Sequence, residues 1–139
     1  MTANVENAIE QLRNGAPCSA VRTKEDGEGG AFVLLEDVEI GEQFSPSRSW
    51  IGFHLTFPYP DADVYPHFID AAVRYVGSGE TPNQHPNGDL PLALTRGDYV
   101  VPGFELAAIH ISRRSNNRNT ETDNALQKLL RIIDFLRTR

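Results

Sequence analysis

Cysteine is nearly absent from this chain: Cys18 is the only one among 139 residues. An internal disulfide is therefore impossible, and so is a four-cysteine zinc site. Long apolar runs are missing too. No stretch approaches the roughly 18 to 20 residues that a membrane-spanning helix requires, and the opening MTANVENAIEQLRNG lacks the basic start and apolar centre of a signal peptide. A soluble, cytoplasmic protein is expected. Basic residues are in deficit, with 13 Lys and Arg against 19 Asp and Glu for a formal net charge of −6. That deficit is uneven. Residues 1 to 112 hold 6 basic and 16 acidic side chains, whereas residues 113 to 139 hold 7 and 3. An acidic body argues against general nucleic-acid binding, which runs on a dense basic surface, while the basic tail keeps a local version of that idea open.

What is present suffices for one core. Hydrophobic residues make up 40% of the sequence and charged residues 23%, the balance of a folding globular chain, and the length suits a single domain spanning residues 1 to 139. Val5, Ala8, Ile9 and Leu12 recur on one helical face, with Thr2 as N-cap, Gly15 after the last turn and Pro17 beyond it. Residues 18 to 23 and 31 to 40 read as two strands joined by the turn DGEGG, a hairpin. From Trp50 to Phe57 the pattern alternates, with Ile51, Phe53, Leu55 and Phe57 on one side and Trp50, Gly52, His54 and Thr56 on the other. The stretch PYPDADVYPHF at 58 to 68 carries three prolines and reads as an irregular crossing. Residues 69 to 76 read as a fourth strand, 77 to 89 as turns, 90 to 104 as no regular element, and 105 to 112 as a strand or a buried helical turn. Ala125, Leu126, Leu129, Leu130, Ile132, Ile133 and Leu136 give a closing helix its apolar face, opposite Gln127, Lys128, Arg131 and Asp134. The expected fold is α+β: an N-terminal helix, a four-stranded antiparallel meander and a C-terminal helix, with helices on one face of the sheet.

Within that order, FHLTFPYPDADVYPHF and the later HPN resemble the central signature of the ubiquitin-conjugating enzyme (UBC-like) family. Phe57, Pro58, Tyr65 and Pro66 match its Phe-Pro pair and Tyr-Pro loop, and His85, Pro86 and Asn87 match the His-Pro-Asn that opens its active-site segment. The resemblance covers roughly residues 3 to 112, and residues 123 to 137 stand where a later family helix falls. It implies a UBC-like fold and a place in ubiquitin-like conjugation. In that chemistry a thiolate accepts the C-terminus of a ubiquitin-like protein as a thioester, and the asparagine supports the oxyanion during transfer.

The family's cysteine would stand shortly after Asn87, in LPLALTRG, and no cysteine is there. Thr95 is the nearest hydroxyl, without a histidine base adjacent in sequence, and a hydroxyl lacking a general base does not replace a thiolate. Cys18, on the first strand, reads as a small core residue. A non-catalytic member follows, of the divergent kind that bacterial operons carry beside activating enzymes and deconjugating proteases. The implied partners are a ubiquitin-like protein and its adenylating activating enzyme, with no cofactor. Two alternatives stay open: a divergent transferase or hydrolase using residues near His85, Asn87 and His110, and an anion or nucleic-acid binder using Arg113, Arg114 and Arg118, whose paired guanidinium donors suit carboxylate or phosphate. Asp89 and Asp98 read as surface turn carboxylates. The histidines His54, His67, His85 and His110 lack the spacing of a metal helix, although His54 and His67 stand where they could approach across the proline crossing; no metal site is assigned.

Overall fold

The computed structural model describes residues 1–79, 94–115, 119 and 123–138, with the backbone alone for 94–98. The first helix, α1 (Ala3–Gly15), starts where Thr2 Oγ1 accepts the Val5 amide at 3.1 Å and buries Val5, Ala8, Ile9 and Leu12. Its end is closed by the Ala16 amide on the Leu12 carbonyl, and Pro17 cannot extend the turn. The strands β1 (Ala20–Glu25) and β2 (Ala31–Glu39) form the expected hairpin. Asp26 Oδ1 accepts the amides of Glu28 and Gly30 at 2.7 and 2.9 Å, which folds the turn while Gly27 and Gly29 supply its positive φ angles. A short β3 (Phe44–Ser45) precedes β4 (Arg48–Leu55). In β4 the alternation holds, with Ile51, Phe53 and Leu55 fully buried. Phe57 departs from it: the strand ends at Leu55 and the Phe57 ring is 60% exposed.

The proline crossing is irregular as far as Pro66, and β5 (His67–Asp70) follows directly. The fourth strand expected over 69 to 76 is divided. A turn at Ala71–Ala72 ends β5, and β6 (Arg74–Tyr75) pairs instead with β3 in a separate two-stranded sheet, where Tyr75 stacks on Phe44. The larger correction concerns sheet size. Beyond the meander lie β7 (Leu94–Val100), within the stretch given no regular element, and β8 (Ala107–Ile111), the strand option of the two left open for 105 to 112. The main sheet therefore has six strands, in the order β1-β2-β4-β5-β8-β7, every neighbour antiparallel.

The helix α2 (Ala125–Arg137) is capped by Asn124, whose side chain accepts the Gln127 amide at 2.9 Å. Its first amide, on Ala125, donates to the Tyr59 hydroxyl at 2.9 Å, so the proline crossing fixes where the helix begins. Both helices cover one face, where α1, α2 and Val33, Leu35, Ile51, Phe53, Ile69, Ile109 and Ile111 share a core. On the opposite face Val101 and Phe104 fold back over Trp50, Phe68 and Ala108. Gly52 makes that closure possible, since a Cβ there would overlap Val101 Cγ2. Among the described residues no helix is long and apolar enough to cross a membrane.

Candidate functional site

Strand β8 and the residues after it carry the densest chemistry of the chain. His110 stands on the face away from the helices, with Phe68 and Tyr65 edge-on at 5.6 and 5.9 Å and Tyr99 stacked on it at 4.8 Å. The aromatic setting buries part of the imidazole and pushes its pKa down, favouring the neutral ring. Ser112, two residues along the same strand direction, brings its Oγ to 2.6 Å from His110 Nδ1. When Nδ1 of a neutral imidazole accepts that hydroxyl proton, Nε2 carries the ring proton. Thr95 is the backbone partner of His110 across the β7–β8 ladder, a juxtaposition that their separation in sequence does not display.

Immediately beyond, residues 113 to 115 run against α2. Arg113 lies over the Phe135 ring with its Cζ at 4.3 Å, and Arg114 over the Tyr65 ring at 3.9 Å. Each guanidinium is thereby in contact with an aromatic face. With Ser115, Lys128, Arg131 and Ile132 they line a pocket of about 240 Å³. Lys128 was expected on the solvated face of α2, yet it is 8% exposed. Its Nζ reaches both oxygens of Asp63 at 3.2 Å and Ser115 Oγ at 2.6 Å. Asp63 also accepts the Ser115 amide and hydroxyl at 2.8 and 2.9 Å. Burial alone would raise the Asp63 carboxyl, but the Ser115 hydrogen bonds and the Lys128 ammonium outweigh it and hold the pKa below the usual carboxylate range.

Among the described residues, the histidines do not converge. His54 leaves the second face to meet Asp26 Oδ2 at 2.7 Å, and that hydrogen bond is the main cause holding the Asp26 carboxyl low. His67 lies on the other face, fully buried beside Phe53 at 5.0 Å, so the proposed approach of His54 and His67 fails because adjacent strand faces separate them. Among the described residues no three His, Cys, Asp or Glu side chains gather as a metal-ion site. Cys18 is half-buried just before β1, and burial pushes its thiol up, away from the thiolate form. Strand β1 is one edge of the six-stranded sheet and β7 the other. Five strand spacings put Cys18 roughly 24 Å from the β7 edge.

His85, Pro86, Asn87, Asp89 and Arg118 lie outside the described residues. His110, Arg113 and Arg114 of this grouping are candidates the sequence singles out, whereas it gives Asp63, Lys128 and Arg131 no role. The carboxylate and the ammonium of the central pair are 65 residues apart, and nothing local marks either. In comparisons with known proteins, no family model, curated protein or solved structure matches this chain.

Proposed function

We propose that the chain is a non-catalytic binding module of the ubiquitin-conjugating-enzyme type, acting with a ubiquitin-like protein and its adenylating activating enzyme in a bacterial conjugation system. What carries this reading is the consecutive antiparallel run β1-β2-β4-β5 behind α1, with the Tyr59 to Pro66 crossing between β4 and β5, the order in which the family signature stands. The β7–β8 hairpin is a departure, extending the sheet past β5. The chemistry supports a module without turnover: the lone cysteine has a raised pKa and sits at the far edge of the sheet from β7. The test is sedimentation velocity of the chain with the ubiquitin-like protein and the activating enzyme of the same genome, without ATP. A stable complex with either is expected; migration as three separate species would sink the proposal.

A second reading, a divergent hydrolase or transferase, is favoured by the 2.6 Å contact of Ser112 with a neutral His110. It requires covalent labelling by a serine-directed acylating reagent that both Ser112→Ala and His110→Ala abolish.

A further inference from the structure

The basic pocket beneath Arg113 and Arg114 has more positive charge than its own carboxylates balance. Lys128 is matched by Asp63 at 3.2 Å and Arg131 by Asp123 at 2.6 Å. Arg113 and Arg114, in the basic C-terminal stretch, have no carboxylate within ion-pair distance among the described residues. Each guanidinium carbon lies over an aromatic ring, Arg113 over Phe135 and Arg114 over Tyr65, which narrows the placements of each head. Arginine held in this way spends little further entropy when it takes up an oxyanion. The pocket, about 240 Å³, has room for one tetrahedral oxyanion and its linkage. The cations converge on a single pocket from the strand side and from α2, which suits one compact group better than a polyanion backbone that needs a stripe of charge.

We infer that the pocket lined by Arg113, Arg114, Lys128 and Arg131 is a binding site for a phosphate-monoester group. Two guanidinium groups without a carboxylate partner among the described residues match a dianion, and three terminal oxygens can be shared among donors arriving from two sides. A carboxylate offers two oxygens and one charge, leaving one arginine unmatched.

The assignment is independent of the conjugation reading, and its test does not involve that system. The full chain is titrated with inorganic phosphate, and separately with acetate, while amide NMR shifts are followed. Phosphate is expected to move the amides of 112–115 and 128–132. Arg113→Gln and Arg114→Gln are each expected to weaken it about tenfold or more, the worth of a charge-assisted contact. Lys24→Gln, on the distant edge strand β1, should leave it unchanged. Both arginines are exposed, so neither change threatens the fold. Glycerol 3-phosphate and a phosphoserine peptide then distinguish a free ester from a modified protein segment, and tighter binding of either than of phosphate supports the site. Acetate binding as tightly as phosphate, or phosphate shifts spread over the surface and indifferent to both arginine variants, would overturn it.

Discussion

His67 should make the stability of this protein depend on pH between 7 and 5. Its ring is fully buried, neither Nδ1 nor Nε2 has a hydrogen-bond partner, and the charged groups facing it are Lys128 and Asp63. Burial, aided by the Lys128 ammonium and opposed by Asp63, pushes the imidazole pKa from 6.5 down to about 3. The native ring is thus neutral where the unfolded ring protonates, so stability is full above the unfolded value and drains away as pH falls below it. The limiting slope is about 1.4 kcal/mol per pH unit, and integration gives a loss of about 2 kcal/mol from pH 7 to pH 5. The depressed carboxyls of Asp26 and Asp63 contribute above the ordinary carboxylate pKa and lose that contribution at lower pH, outside this window. His67→Leu removes the titration and two orphaned nitrogens. Urea unfolding of both proteins at pH 7, 6 and 5 should find the variant gaining on the wild type by about 2 kcal/mol across the series. Any shape cost of leucine is the same at every pH and cancels from that trend. A difference between the two proteins that stays constant with pH would refute the assignment of a neutral, buried His67.

Lys128→Met leaves the Asp63 carboxylate with Ser115 alone and should cost about 2 kcal/mol in urea unfolding, discounted from a fully buried pair because Asp63 keeps some solvent contact. Gly52→Ala drives a methyl into Val101 and should cost about 1 to 3 kcal/mol; adding Val101→Ala should make the double mutant less destabilised than the two single losses summed, as a double-mutant cycle would measure. Thr2→Ala removes the acceptor for the Val5 amide and should lower stability by about 1 kcal/mol, with Thr2→Ser restoring most of it.

The helices were legible because each has a 3.6-residue apolar stripe, and α1 also the side-chain cap Thr2; the cap of α2, Asn124, is a finding of the structure. The hairpin and β4 were legible for a parallel reason, a turn rich in Gly and Asp and a clean two-residue alternation. Strand β7 was hidden. Its register shifts between Arg96 and Tyr99, and the segment after it turns at Gly103, whose φ of 85° lets the backbone lie on the Phe32 ring. An interrupted period of this kind carries no local sign of a strand, and only pairing with β8 defines it. In β6 the cause is different: the chain leaves the main sheet at Ala71 within a run that still looks uniformly strand-like. The site was half visible. Adjacent Arg113 and Arg114 advertise an anion, whereas Lys128 and Arg131 look like ordinary solvated helix positions until Asp63 and Ser115 close over the lysine.

A non-catalytic binding module forms no covalent bond with the proteins it presents. The direct measurement is an intact-mass scan after incubation with the ubiquitin-like protein, the activating enzyme and ATP. A non-catalytic module should keep an unmodified mass while it forms a stable noncovalent complex. An adduct that disappears in Cys18→Ala or Thr95→Ala would contradict it and identify the nucleophile.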